Sequence, residues 1–285
     1  MACAPMKVPV RGIELFYEMT GSGPPCVLVH GGPGMSHPNA LARFASLADA
    51  VQLIHYDQRG HGRSSRAPAE TYTLDEQAED LHALIEALGL NRPVVLGTSA
   101  GGFVALLYAG RHPAGLRGLI LVDTSASAGF MARATANMQR RGTPAMQQAY
   151  RALWDGSITD PLTFQRAFET ILPLYYHDRS RSPVNLEGTQ FDPDTRRALI
   201  RDYPTYDARP LLGRIQGPTL IAVGRHDWIC PVEESLELAK GIPGAELHIF
   251  EHSGHSPQTE EPDAFIAAVR RFLARLPHPR GSAGG

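Results

Sequence analysis

Cysteine is scarce. The 285 residues contain three, Cys3, Cys26 and Cys230, too few and too scattered for a disulfide framework or a zinc pattern. That usage suits a reducing compartment. An excess of one charge is also missing: 27 Lys and Arg face 29 Asp and Glu, a net charge of -2, which leaves no electrostatic footprint for nucleic acid or an anionic membrane. No apolar run approaches the roughly 18 residues of a membrane span. The opening MACAPMKVPV lacks the apolar core of a secretory signal. Internal repeats and low-complexity tracts are absent too. The expectation is a soluble, cytoplasmic globular protein with neither nucleic acid nor membrane as partner; nothing in the sequence speaks to its oligomeric state. Its length holds one large α/β domain with an insertion, or two small domains.

What is present is an alternation of apolar strands and amphipathic helices. Val8–Tyr17, turning at Gly12, reads as a hairpin. Cys26–His30, Val51–Tyr56, Val94–Leu96 and Leu116–Asp123 are apolar runs, the mark of strands buried on both faces and so of a parallel sheet. Helices are expected over Leu41–Ala48, over Leu74–Leu88 with Thr73 as N-cap and Gly89 as C-cap, and after the Val94 strand as far as His112-Pro113. From Ser125 to about Asp207 the strands stop, and four helical stretches follow: Phe130–Arg141, Thr143–Leu153, Pro161–Leu172 and Asp194–Asp202. Strand and helix alternation resumes with Leu220–Val223, Val232–Lys240, Glu246–Phe250 and Pro262–Leu276. The fold class is therefore α/β, a mostly parallel central sheet flanked by helices and interrupted by a helical insertion. Residues 277–285, rich in Gly, Pro and Ser, read as a disordered tail.

Three loops carry chemistry. Gly97-Thr98-Ser99-Ala100-Gly101 fits G-x-S-x-G, a strand turning directly into a helix. Such a turn strains the serine backbone and leaves little room for side chains two positions away, which is why glycines flank it. A serine hydroxyl needs a base, and the base needs a third group to hold its tautomer. Asp227 follows the Leu220 strand, and His255 follows the strand ending at Phe250, completing the order Ser, Asp, His. His252 is the rival base on the same loop, but Gly254 permits a sharp turn at His255. Asp123 is the rival acid; otherwise it makes an Asx turn. Most of the other histidines, His37, His82, His112, His177, His248 and His278, read as surface or structural. An oxyanion needs two converging N–H groups: Ala100, at the helix N-terminus, and Gly32, in the His30-Gly31-Gly32-Pro33-Gly34 loop. Asp57-Gln58-Arg59-Gly60 reads as a network that holds these loops. His252 and His255 have no third ligand at metal-site spacing, so no metal is expected, nor any cofactor.

Together these residues resemble the α/β-hydrolase superfamily. HGGPG (30–34), DQRGHGRS (57–64), GRHDWICP (224–231) and SGHS (253–256) look most like its proline iminopeptidase branch. The resemblance implies that residues 125–207 form a helical cap over a core of residues 1–124 and 208–276. It also implies that acidic groups, largely from the cap, hold a substrate's free amine; Glu169, Glu187, Asp192, Asp194 and Asp202 are available. The chain departs from that branch at Ala100, where Trp or Tyr is usual. Gly31, Trp228 and Trp154 are candidate substrate contacts, with Tyr175 and Tyr176 also on the cap.

The expected function is a serine hydrolase without cofactor, cleaving an ester or amide of a small molecule or short peptide through an acyl-enzyme. The alternatives are N-terminal proline release, a non-catalytic ligand receptor on a hydrolase scaffold, and a cofactor-free haloperoxidase or C–C hydrolase.

Overall fold

A computed structural model describes residues 6–38, 40–180 and 186–277. Eight strands form one sheet: β1 (Met6–Val10), β2 (Ile13–Thr20), β3 (Pro25–Val29), β4 (Gln52–Tyr56), β5 (Val94–Thr98), β6 (Gly118–Val122), β7 (Thr219–Gly224) and β8 (Glu246–Phe250). Their spatial order is β1-β2-β4-β3-β5-β6-β7-β8. β1 and β2 pair antiparallel, β2 joins β4 antiparallel, and every later pairing is parallel. The α/β fold class expected from the apolar runs is the fold observed.

Successive side chains of a strand face opposite sides, so each apolar strand feeds two cores. Val27 and Val29 pack on one side with helices α2 (Leu74–Ala87) and α3 (Ala100–Arg111). Cys26 and Leu28 pack on the other with α11 (Pro262–Arg275) and the segment around Phe44. Thr73 caps α2 by accepting the Glu76 N–H. Leu88 is its C-cap, while Gly89 stands one residue beyond at φ 61°, the left-handed position that glycine fills at least cost. The helix expected over Leu41–Ala48 is broken: α1 covers only Ala40–Arg43, and a 3₁₀ turn follows at Ala45–Leu47. Phe44, between them, leaves helical geometry to bury its ring against Phe265.

Between β6 and β7 lie α4 (Phe130–Arg141), α5 (Pro144–Trp154), α6 (Pro161–Ile171), α7 (Pro193–Asp202) and the short α8 (Arg209–Leu212). Thr143, Asp160 and Asp192 cap α5, α6 and α7, each followed by a proline at the first helical position, where a missing N–H costs nothing. α9 (Val232–Gly241) and α10 (Pro257–Glu260) complete the chain up to α11. Among the described residues no helix is long and apolar enough to cross a membrane. Cys26 and Cys230 are buried and unpaired; burial pushes the Cys26 thiol up to about 12. The expected disordered tail lies, from residue 278 onward, outside the described residues.

Candidate active site

In a parallel sheet the carboxyl ends of the strands share one edge, and ligands bind there. Along β3, β5, β6, β7 and β8 that edge carries, in order, the Gly31-Gly32 loop, Ser99, Asp123, the Asp227 loop and the His255 loop. Strand spacing of about 4.8 Å would leave His255 three strands away from Ser99. The β8 loop therefore has to fold back across β7, and Gly224 permits it: a Cβ there would stand 2.6 Å from the Ser253 carbonyl. Backbone bonds fasten the crossing, Arg225 N to Phe250 O at 2.8 Å and His226 N to Ser253 O at 2.9 Å.

Ser99 sits between β5 and α3 at φ 53°, ψ -124°, a conformation an L-residue holds only under constraint. Its N–H donates to Val122 O, and its carbonyl accepts from Thr124 Oγ1 at 2.8 Å. A Cβ on Gly97 would meet the Gly101 carbonyl at 2.6 Å, so the motif's glycines let the helix turn back onto its own strand. Gly31 approaches from β3: a Cβ there would lie 2.9 Å from that of Ser99.

His255 Nδ1 and Asp227 Oδ2 are 2.7 Å apart, both side chains buried. The other Asp227 oxygen accepts the N–H groups of Ile229 (2.8 Å) and Cys230 (3.1 Å). Burial disfavours a charged imidazole, but the Asp227 charge and hydrogen bond outweigh it, and the His255 pKa is raised. Ser99 and His255 both line one cavity of about 170 Å³, and Ala100, Gly31 and Gly32 line it with them. His252 is exposed, with its N–H bound to Glu261, and is not on that wall.

Histidines set the Gly31-Gly32 loop, where the sequence places an expected oxyanion donor. His30 Nδ1 and His37 Nε2 each lie 2.9 Å from the Gly31 carbonyl. A trans peptide points its C=O and the next N–H in opposite directions, so pinning that carbonyl aims the Gly32 N–H the other way. His30 Nε2 accepts from Gln58 N, and His61 Nε2 accepts from Gly34 N, so each ring is held in one neutral tautomer. The Asp57–Gly60 segment thus holds this loop, as its polarity suggested. Burial keeps the proton off the rings, lowering His37 to about 3 and His61 to about 4. His37, read from sequence as surface or structural, lines the cavity. Only its separation of six residues from Gly31 hinted at this.

Asp123 also comes in. It stands at φ 49°, its Oδ1 accepts from Gly224 N at 2.9 Å, and its buried Oδ2 has no partner. Asp123, Asp227 and His255 offer ligand atoms within 4.8 Å of one another, the one such group among the described residues. A metal would compete there with the bonds already made by Asp227 and His255, whereas a single proton relieves the paired carboxyls. Burial, with the Asp227 charge added, pushes the Asp123 carboxyl well above its usual range.

The helices after β6 supply the far wall, including Phe130, Tyr150, Trp154 and Tyr175. They also brace the loops: Asn137 Nδ2 donates to Trp228 O, Arg141 to His226 O, and His255 N to Tyr175 O. Trp228 lines the cavity with its buried Nε1 unpartnered. None of the five acidic candidates from this segment is on the wall. Asp192 caps α7, Asp194 pairs with Arg197, Asp202 accepts from Leu74 N, and Glu169 accepts from Gln165.

Comparison with known proteins agrees with this architecture. A family model described as alpha/beta hydrolase fold matches residues 24–262. The proline iminopeptidase PfmaB of Pestalotiopsis fici is 29% identical, over 94% of this chain and 99% of its own length. A proline iminopeptidase of Lactobacillus helveticus is 31% identical, over 94% and 96%. The crystal structure of VinJ superposes with a TM-score of 0.81 at 27% identity, covering 97% of this chain and 100% of that one.

Proposed function

The chain belongs to the α/β-hydrolase fold family, and from that premise we propose that it is a serine hydrolase cleaving an ester or amide of a small substrate through an acyl-enzyme. The observation that carries this reading is the 2.7 Å bond between His255 and Asp227 beside a cavity that Ser99 also lines. With Nδ1 committed to Asp227, Nε2 is the nitrogen left for chemistry. Ser99 Oγ attacks the carbonyl while His255 Nε2 takes its proton. The oxyanion accepts from the Ala100 and Gly32 N–H groups, worth about 2.7–4 kcal/mol each on the precedent of single-donor deletions. His255 then protonates the leaving group. Water, deprotonated by the same imidazole, releases the acid and restores Ser99. In this reading residues 125–207 act as a cap over the core of residues 1–124 and 208–276, and Gly31, Trp154 and Trp228 touch substrate. No step calls for a cofactor, and the buried unpaired cysteines suit a cytoplasmic setting.

Proline release is the second reading, favoured by the names of relatives about 30% identical. Against it stands the cavity wall, which among the described residues has no Asp or Glu to hold a substrate amine. The test pairs a fluorophosphonate probe with two substrates. Labelling at Ser99, lost in Ser99→Ala, together with faster turnover of short p-nitrophenyl esters than of proline-naphthylamide, supports the first reading. Faster proline release transfers it to the second, and a folded protein that neither reacts nor turns over either substrate is a receptor.

A further inference from the structure

Arg196, on the cavity wall, has no carboxylate partner among the described residues, in contrast to the buried Arg59. Arg59, buried in the loop network, takes both oxygens of Asp80 at 2.7 Å. Arg196, on α7, is 7% exposed and lines the cavity. Its Nε and Nη2 donate to the Leu153 carbonyl at 2.8 and 2.7 Å, and Nη1 donates to the Pro33 carbonyl at 3.4 Å. Its remaining neighbours are aromatic, with the Trp154 and Phe164 rings at 5.4 and 5.0 Å. Among the described residues no carboxylate forms an ion pair with it. Burial lowers its pKa to about 10, which still leaves it charged at neutral pH.

A second guanidinium, Arg43 of α1, is on the same wall; it is exposed to solvent and has no ion-pair partner among the described residues. No Asp or Glu lines the cavity, and none occurs in the sequence outside the described residues. Arg196, a buried cation balanced only by carbonyls and rings, carries an uncompensated desolvation penalty unless something else brings the negative charge.

Resting on the serine-hydrolase reading, we propose that the substrate is an ester or amide carrying a carboxylate, with Arg196 as its specificity-determining residue and Arg43 as a second cationic contact. A cavity of 150 Å³ accommodates benzene, so one of about 170 Å³ suits a short or single-ring group bearing that carboxylate. Arg196 touches the Pro33 carbonyl, one residue from the oxyanion candidate Gly32, so the anion binds close to the scissile bond.

The experiment is a matched charge series on the full chain, with acid release followed by titration. Monomethyl succinate is compared with methyl pentanoate and with methyl β-alaninate. On the leaving-group side, 4-acetoxybenzoate is compared with 4-isopropylphenyl acetate. The expected result is a kcat/KM for the anion about tenfold or more above its neutral partner in at least one pair, and lowest for the cation. Arg196→Met and Arg43→Gln each bring that ratio toward one, and Arg196→Lys retains part of it. If Arg196→Met does not fold, Arg43→Gln and the native series still decide. Equal or better turnover of both neutral partners, or an unchanged ratio in the arginine variants, overturns the inference. If that happens while Ser99 is still labelled by fluorophosphonate, only the substrate class is lost. If nothing is labelled or turned over, the hydrolase reading fails. Calorimetry of 4-acetoxybenzoate against 4-isopropylphenyl acetate on Ser99→Ala then decides anion selectivity by itself, with no preference for the carboxylate overturning it.

Discussion

Asp123 and Asp227 share one imidazole's surroundings, but only Asp227 is bonded to it; one carboxylate oxygen from each and a ring nitrogen of His255 lie within 4.8 Å of one another. Two carboxyls this close do not both ionise easily, and here the environment separates them. Asp227 takes two backbone N–H groups on the oxygen that faces away from His255, whereas Asp123 takes one and is driven toward its neutral form.

Replacing each acid with its amide therefore has unequal effects. Asp227→Asn lowers kcat by about 10⁴, on the precedent of the same change in another serine hydrolase, because the amide favours the wrong tautomer. Asp123→Asn replaces a carboxyl already driven toward its neutral form, keeps an oxygen for the Gly224 N–H, and lowers kcat by less than about tenfold. Steady-state kinetics on an activated ester measures both.

The proposed mechanism uses His255 as a base, without its extra proton. Asp227 holds that proton on, so kcat/KM rises with pH through an inflection above the ordinary imidazole value of about 6.5. In Asp227→Asn the inflection moves down, because the two larger opponents of burial, the Asp227 charge and its hydrogen bond, are gone and only the Asp123 carboxyl still opposes it. A pH profile of the residual activity tests the shift, and an unmoved inflection counts against His255 as the base.

Acid stability falls to the loop histidines. Their folded pKa values are depressed, so the unfolded chain binds their protons first. The stability they contribute is complete above about 6.5 and is lost as pH falls toward about 4 for His61 and about 3 for His37. Urea midpoints measured from pH 7 to pH 4 should decline, and His61→Gln should flatten that decline while lowering the midpoint at pH 7, where the Gly34 bond is disturbed.

Gly224→Ala tests the crossing of the β8 loop. Its Cβ would stand 2.6 Å from the Ser253 carbonyl oxygen and 2.8 Å from the Gly254 carbonyl carbon, both backbone atoms that cannot swing aside. Displacing His255 by about 1 Å costs roughly 10² in kcat, and the melting temperature falls with it. Native kcat in this variant would show that the loop has slack.

The elbow at Ser99 was legible because a strand turning straight into a helix leaves a mark in adjacent residues, Gly97 and Gly101, whose missing side chains are a local steric demand. The helices of the segment after β6 were legible as four helical stretches where the apolar strands stop, although the caps Thr143, Asp160 and Asp192 emerged only with the structure. The break at Phe44 was not, because its cause is the Phe265 ring more than 200 residues away.

Sequence alone determined the alternation of strands and helices, the βα loops that hold Ser99, Asp227 and His255, and their order, since these follow from short-range sterics and from which strands bury both faces. Only the tertiary structure decided that Asp123 joins the acid, that His37 turns inward to pin Gly31, and that the cavity presents Arg196 rather than any of five nearby carboxylates. Those outcomes depend on which face each helix turns toward the sheet, and that is settled by packing between segments far apart in the chain.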